Sequence, residues 1–310
     1  MPKINEIVAF LQEIGQVEAV HNPSEHMMDL ELKGVRTDQE AGKGDLSWLS
    51  VKTFNKDSSR YFRFKGSLLI CSQDVLTETP PASAVTVATT NPRLAFIRAA
   101  SQFFSQLYTT TWPKLNESPI SSDAKIHSSV EISHGVVIGS GVEIGEGSYI
   151  GPNTCIANCT IGKNVFVGAN CSIGVTGFGF EADDEGHYWR FPHFARVVIH
   201  DAVEIDSNVC IDQGALGDTV IGKLTKISDQ CHIGHNSRIG EDCLVIAHTV
   251  VSGSVRVGNN VWLAPGSQLL NNIAIGDGAR VSLGSCVFND VPPGITVIGN
   301  PARSMQWNKK

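Results

Sequence analysis

Residues 227–257 read ISDQCHIGHNSRIGEDCLVIAHTVVSGSVRV, and in that stretch Ile227, Ile233, Ile239, Val245, Val251 and Val257 stand six apart. The register continues without a miss through Leu263, Leu269, Ile275, Val281 and Val287. Four residues after each aliphatic comes a second small or branched residue: Cys231, Ser237, Cys243, Thr249, Val255, Val261, Ser267, Ile273, Ala279 and Ser285. A period of six fits neither a helix, which repeats about every 3.6 residues, nor a strand alternating every two. It fits a chain that turns a corner every sixth residue, with the aliphatic inside and glycine or a polar residue at the bend. Such hexads are the signature of a β-helix. The same register runs earlier through Ile126, Ile132, Ile138, Ile144, Ile150 and Ile156, slips by one, and resumes at Ile161, Val167 and Ile173.

Composition narrows the function classes. Among 310 residues no apolar run approaches the roughly 18 that a membrane span needs, and the opening MPKINEIVAF lacks a secretory pattern. A cytoplasmic protein without integral membrane association is expected. The net charge of −7, with no basic cluster, argues against nucleic acid as a partner. Of the eight cysteines, Cys171, Cys231 and Cys243 fall on the small inward position of a hexad, and no CxxC pair exists. They read as buried small hydrophobes in a reducing compartment, not as disulfides or metal ligands.

Three regions separate along the chain. Residues 1–115 lack the six-residue period and read as a small α/β domain. It opens on an amphipathic stretch (Ile4, Ile7, Val8, Leu11) and continues with strand-like runs at 67–71 and 84–87. The stretch NPRLAFIRAASQFF reads as a helix, with Asn91 as N-cap and Pro92 at its first position. Residues 116–123, ESPISSDA, read as a linker. Residues 124–288 are the β-helix, and 289–310 a short tail.

The repeats break twice. Between Ile173 and Ile199 lies GVTGFGFEADDEGHYWRFPHFARVV, and between Ile211 and Ile221 the step is ten, through DQGALGDTV. A loop can leave a stacked solenoid only outward, and loops on rigid scaffolds commonly carry binding groups. Phe178, Phe180, Tyr188, Trp189 and Phe191 in one loop call for a partner, either a ligand or a neighbouring subunit.

Hexads such as IGSGVE, IGEGSY and VGNNVW resemble those of left-handed parallel β-helix acyltransferases, which implies a homotrimer. TGFGF, then RFPHFARVVIHDAVEIDSNVCIDQGALGDTVIG, then QCHIGHN resemble the bacterial UDP-3-O-acylglucosamine N-acyltransferase family of lipid A synthesis. GDLSWLS, KGSLLICS and NPRLAF look like its uridine-binding domain. Three departures stand out. Asn272 occupies the place of the family's second functional histidine. The family's C-terminal helical extension, tied to carrier-protein recognition, has no counterpart before Lys310. And NNVWLAPGS with DVPPGITVIGNPAR looks instead like CoA-dependent acetyltransferases.

The implied reaction passes an acyl group from a thioester to a sugar amine. It needs a base for the ammonium, a donor for the tetrahedral oxyanion and near-attack positioning, but no covalent intermediate and no permanently bound cofactor or metal. His235, after the Ile233-Gly234 bend, is the expected base. His232 is its rival or a substrate contact, and Asp229 or Asp212 could fix the imidazole tautomer, a choice that spacing leaves open. The resemblance also implies a backbone N–H near Gly253, one coil of eighteen residues on, for the oxyanion. It places Trp48 and Phe54 around the nucleotide base, whether UDP or dTDP. Phe178, Phe180, Asp212 and Gln230 complete the expected substrate contacts.

Arg303 and Lys309, near a proline-glycine turn, suit coenzyme A phosphates, so acyl-CoA with a short acyl group is the expected donor and a nucleotide amino sugar the acceptor. The alternative is the lipid A enzyme proper, with acyl carrier protein as donor. Two other readings compete: a zinc enzyme resembling gamma-class carbonic anhydrase, through His232, His235 and His248, and a non-catalytic nucleotide-sugar-binding protein.

Overall fold

The computed structural model describes residues 1–76, 81, 83–108, 112–113 and 117–304. They form two compact units, Met1–Thr109 with Gly179–Phe194, and Thr110–Phe178 with Ala195–Lys310. No helix among the described residues is long and apolar enough to cross a membrane.

The second unit is a left-handed parallel β-helix. Each hexad supplies a strand of two or three residues, and three hexads make a coil of three faces. Face one includes Glu204–Ile205, Lys226–Ile227 and Leu244–Val245; face two, Cys210–Asp212, His232–Ile233 and Val250–Val251; face three, Thr219–Ile221, Arg238–Ile239 and Arg256–Val257. Strands one coil apart pair in parallel with equivalent residues opposite: Ile227 with Val245, Ile233 with Val251, Ile239 with Val257. The aliphatics therefore form continuous inward columns, buried from Ile138 to Val287. Burying each such side chain contributes about 1.5–3 kcal/mol. Cys171, Cys231 and Cys243 are buried among them, and all eight cysteines are free thiols.

The corners need a left-handed backbone residue, which costs an ordinary side chain but suits a short polar one. Asn208, Gln230 and His248 take this place between faces one and two, with φ of 61°, 59° and 61°. Asn236, Ser254 and Asn272 take it between faces two and three, with φ of 60°, 62° and 63°.

The stack reaches further at both ends than residues 124–288. Ile120, six before Ile126 and read above as linker, bridges Ile138. Past Val287, Val291 bridges Ile275, and Thr296–Ile298 adds to Arg280–Val281 before pairing antiparallel with Arg303–Ser304. The reason is the same at both ends: an apolar residue in register can still close on the exposed coil edge.

The interruptions share one place. The five-residue step from Ile156 to Ile161, the long insertion after Ile173 and the ten-residue step after Ile211 each join a face-two strand to a face-three strand. All three irregularities open the same corner.

The first unit is a five-stranded sheet. Asp45–Leu49, Leu68–Cys71 and Val85–Ala88 run parallel, Gly34–Val35 joins one edge in parallel, and Ala19–His21 joins the other antiparallel. The helix Ile4–Glu13 buries Ile4, Ile7, Val8 and Leu11. The helix Pro92–Phe103 starts as its sequence implies: Asn91 Oδ1 accepts from the Leu94 amide at 3.0 Å, and Pro92 needs no donor there.

Residues 179–194, the heart of the aromatic insertion, belong to this unit. They fold as a hairpin, Phe180–Ala182 against Tyr188–Arg190. The Phe191 ring stacks on Phe96 at 5.5 Å, with the Arg93 guanidinium 5.3 Å above it. Arg98 sits 4.7 Å over Trp189 and 3.6 Å from Asp183, which also accepts from the Trp189 indole at 2.9 Å. Phe191 and Trp189 thus have partners on a helix of the same chain. Phe191→Ala should cost roughly 3–5 kcal/mol and open residues 182–188 to proteolysis. Cleavage no faster than in the wild type would contradict this docking.

Candidate functional site

The corner between faces two and three gathers polar groups that spacing alone did not connect. His235 lies on it, half-buried, one residue before the left-handed Asn236. Its ring lies across the next coil: a Cβ placed on Gly253 would come within 2.7 Å of His235 Nε2 and 2.8 Å of Cε1. Glycine stands there because the imidazole occupies that space, not because the backbone requires it. The Ser252 and Ser254 amides donate to the Leu269 and His235 carbonyls at 3.3 and 2.8 Å. The Gly253 amide between them has no acceptor among the described residues. Asn272, stacked in the column of Asn236 and Ser254, donates its N–H to the Gly253 carbonyl at 3.1 Å. It therefore stands beside the column that His235 and Gly253 form.

Sequence reasoning missed the residues that anchor this column. Asn236 Oδ1 accepts from the Ala215 amide at 2.5 Å, and its own N–H donates to Thr219 Oγ1 at 2.9 Å. These bonds tie His235's turn to the DQGALGDTV loop. Gln213 in that loop donates its N–H to the Val175 carbonyl at 2.9 Å and accepts at its side chain from Asn158 Nδ2. Gly174, where the long insertion departs, has φ +75°, and a Cβ there would meet the Ala157 carbonyl oxygen at 1.6 Å. The signal was present in the shared corner of the three register breaks, which is visible once strands are numbered by face.

The two candidate carboxylates part company. Asp229 lies at the corner between faces one and two, exposed, with Oδ1 accepting from the Ser207 amide at 3.0 Å. It ties one coil to the one before. Gln230 beside it is the exposed left-handed residue of that same corner. Asp212, on face two, is 5% exposed and faces His232, with Oδ2 3.7 Å from Nε2. Burial raises its pKa above the usual carboxylate range, against the opposing pull of His232. Cys210, two residues before it on the same strand, is pushed up to about 11 by burial and by the Asp212 charge. Of the pair, Asp212 is the one that meets a histidine. Strand alternation explains it: Asp212 and His232 both flank inward isoleucines on adjacent face-two strands, whereas Asp229 lies in a turn.

Within one chain the three histidines of the zinc reading stand at different places. His232 is on face two, His235 at the corner after it and His248 at the corner before it, where its amide donates to the Asp229 carbonyl at 3.1 Å.

In the first unit Trp48 and Phe54 point into different surroundings. Trp48 pairs across the sheet with Ile70, and its ring lies 6.5 Å from both Phe96 and Phe191. Leu49, of opposite parity, belongs to the cluster with Tyr61 and Cys71 against which Phe54 packs, its ring 6.0 Å from Tyr61. The pair straddles the sheet instead of lining one face. The reason is the period of two within Asp45–Leu49. Phe180 is half-buried under Arg190 at 4.6 Å, while Phe178 is 83% exposed. Arg303 is exposed, its guanidinium donating to the Ala302 carbonyl at 3.1 Å, and Lys309 lies outside the described residues.

With this geometry in hand, the comparisons agree with one another. The model for bacterial transferase hexapeptide repeats, six repeats long, matches residues 123–158 and 141–174. Over 134 residues the chain is 40% identical to the UDP-3-O-acylglucosamine N-acyltransferase of Caulobacter sp. (strain K31), which is 43% of this chain and 39% of that protein. Over 139 residues it is 38% identical to UDP-3-O-acylglucosamine N-acyltransferase 2 of Legionella pneumophila (strain Paris), 44% and 40% of the two chains. The chain resembles hexapeptide-repeat acyltransferases. The match spans about two-fifths of the length of these curated relatives. Among solved structures, Francisella novicida UDP-N-acetylglucosamine acyltransferase superposes with a TM-score of 0.51 at 26% identity, over 61% of this chain and 70% of that one. The Campylobacter jejuni enzyme of the same name, at 21% identity and a TM-score of 0.50 over 61% and 75%, shares the fold.

The column yields a local prediction. Gly253→Ala pushes the His235 ring off its seat, so His235 side-chain NMR resonances should shift while the thermal midpoint changes little. Unchanged resonances would mean the ring does not rest on Gly253.

Proposed function

We propose that this protein is an N-acyltransferase that moves an acyl group from a thioester to the amine of a UDP-linked 3-O-acylglucosamine, within lipid A synthesis. The observation that carries the reading is the His235 ring seated over Gly253, whose amide has no acceptor among the described residues. The names of the relatives support the acceptor: a UDP sugar is favoured over dTDP, and a lipid A precursor over a general surface glycan.

In the reaction, neutral His235 takes the proton that the amine loses as it attacks the thioester carbonyl, which suits an imidazole whose ordinary pKa lies near neutrality. The carbonyl oxygen gains negative charge in the tetrahedral intermediate, and the Gly253 amide is the donor for it. The intermediate collapses by expelling the thiolate, which is protonated as it leaves. Asn272, in the neighbouring column, adds a polar group beside His235 and Gly253.

For the donor, an acyl carrier protein fits this reading better than acyl-CoA. The preference for acyl-CoA rested on the tail, where Arg303 already donates to a neighbouring carbonyl, and the lipid A relatives weigh on the other side. In the first unit, Trp48 is the proposed stacking partner of the uracil, with Phe180 as a further apolar contact, while Phe54 packs on the other side of the sheet. The proposed assembly is a homotrimer, which would cover the exposed Leu244, Trp262, Leu270 and Phe288 on the outside of the coils.

His235→Ala should lower turnover by roughly 10²–10⁴, the usual effect of losing a positioned base, with acceptor binding little changed. The assay is release of free carrier-protein thiol from a 3-hydroxyacyl thioester in the presence of UDP-3-O-acylglucosamine. Near-normal turnover in this variant sinks the mechanism, and no turnover by the wild type with either donor sinks the function. Trp48→Ala should raise the acceptor KM about tenfold, consistent with losing about 1–3 kcal/mol of base stacking, and leave kcat intact. A fall in kcat with an unchanged KM would remove Trp48 from the nucleotide.

A further inference from the structure

Face two carries a second cluster, independent of the acyl-transfer reading. The strands Cys210–Asp212 and His232–Ile233 are parallel neighbours, with Cys210 directly opposite His232. Ile211 and Ile233 point inward, so Cys210, Asp212 and His232 all project from the outer side of the face. Their Sγ, carboxylate and imidazole atoms lie within 4.8 Å of one another, the one such group of three His, Cys, Asp or Glu residues among the described residues.

We propose that Cys210, Asp212 and His232 form a binding site for a zinc-type divalent cation. Asp212 Oδ2 is 3.7 Å from His232 Nε2, and Cys210 Sγ is 3.8 Å from Asp212 Oδ1. An N···O separation of that length is too long for a hydrogen bond. It is about 0.3–0.4 Å longer than the N···O edge of a tetrahedron around an ion bonded at about 2.0–2.1 Å to nitrogen and oxygen, a gap that a small side-chain rotation closes. Charge also favours the ion. A thiolate, a carboxylate and a neutral imidazole cancel a divalent cation, so the filled site is neutral, as a site built around a 5%-exposed carboxylate requires. Binding displaces the thiol proton to solvent, and no other bond changes.

The donor set selects the metal. Thiolate sulfur with imidazole nitrogen suits zinc or cobalt and disfavours magnesium and calcium, which take oxygen ligands. Three protein ligands leave a fourth position for water or a bound molecule. The backbone holds the ligands in place: the Cys210 amide donates to the Cys231 carbonyl and the His232 amide to the Thr249 carbonyl, each at 3.0 Å.

The test uses the full chain, purified under reducing conditions and stripped of metal, titrated with Co²⁺. One equivalent per chain should bind, giving a sulfur-to-cobalt charge-transfer band and the intense visible bands of a tetrahedral ion, both displaced by Zn²⁺. Cys210→Ser should abolish the charge-transfer band, and His232→Gln and Asp212→Asn should each weaken Co²⁺ binding by at least roughly tenfold. In the unaltered protein, Zn²⁺ should protect Cys210 from iodoacetamide, read by peptide mass spectrometry, so the outcome does not hang on a variant that folds poorly. Absence of the band in the wild type, its survival in Cys210→Ser, equal affinity in the other two variants, or alkylation of Cys210 indifferent to Zn²⁺ would each overturn the site.

Discussion

Every coil is held to the next by backbone hydrogen bonds that run straight along the stack, as between the Gly234 amide and the Val251 carbonyl at 2.7 Å. That ladder keeps equivalent residues opposite one another, which keeps the aliphatic columns continuous. A strand cannot gain a residue without turning its inward side chain outward. Extra residues must therefore collect at corners, and here they collect at one corner. The register that gives the protein its core thus also decides where loops leave it, and one of them, DQGALGDTV, is bonded to the turn that carries His235.

The same constraint explains the local residue choices. Corners demand a left-handed residue in each coil, so asparagine recurs where a β-branched residue would be strained. Where coils approach closely, only glycine fits. Gly174 has a carbonyl where its Cβ would be, and Gly253 has an imidazole there. The first of these glycines serves the fold, since no side chain could stand against a backbone oxygen. The second leaves space for a functional ring.

The smaller unit obeys different rules. It hides hydrophobic surface by packing a helix on a mostly parallel sheet, then uses residues 179–194 to cover that helix. Arg93 and Arg98 lie on one side of Pro92–Phe103 and each meets both an aromatic ring and a carboxylate of the insertion. Cation–π contacts beside ion pairs hold a hairpin that has only two short strands of its own. An aromatic-rich loop that looked like a surface waiting for a ligand is, for Phe191, interior packing, while Trp189 stays partly exposed under Arg98.

How much was legible depended on distance along the chain. The six-residue period set the solenoid, its inward residues and its free, buried cysteines, because all of these follow from local repetition. The eighteen-residue coil brought His235 to Gly253 for the same reason: stacking converts a fixed sequence interval into contact. Tertiary structure decided what has no fixed interval. It paired Asp212 with His232 on neighbouring strands of one face and left Asp229 in a turn, where it ties one coil to the one before. It set Trp48 and Phe54 against opposite faces of the sheet, and it brought Phe191 to Phe96 across ninety-odd residues. Repetition is a property of sequence and can be read there, whereas side-chain partners joined by irregular loops are chosen by packing in three dimensions.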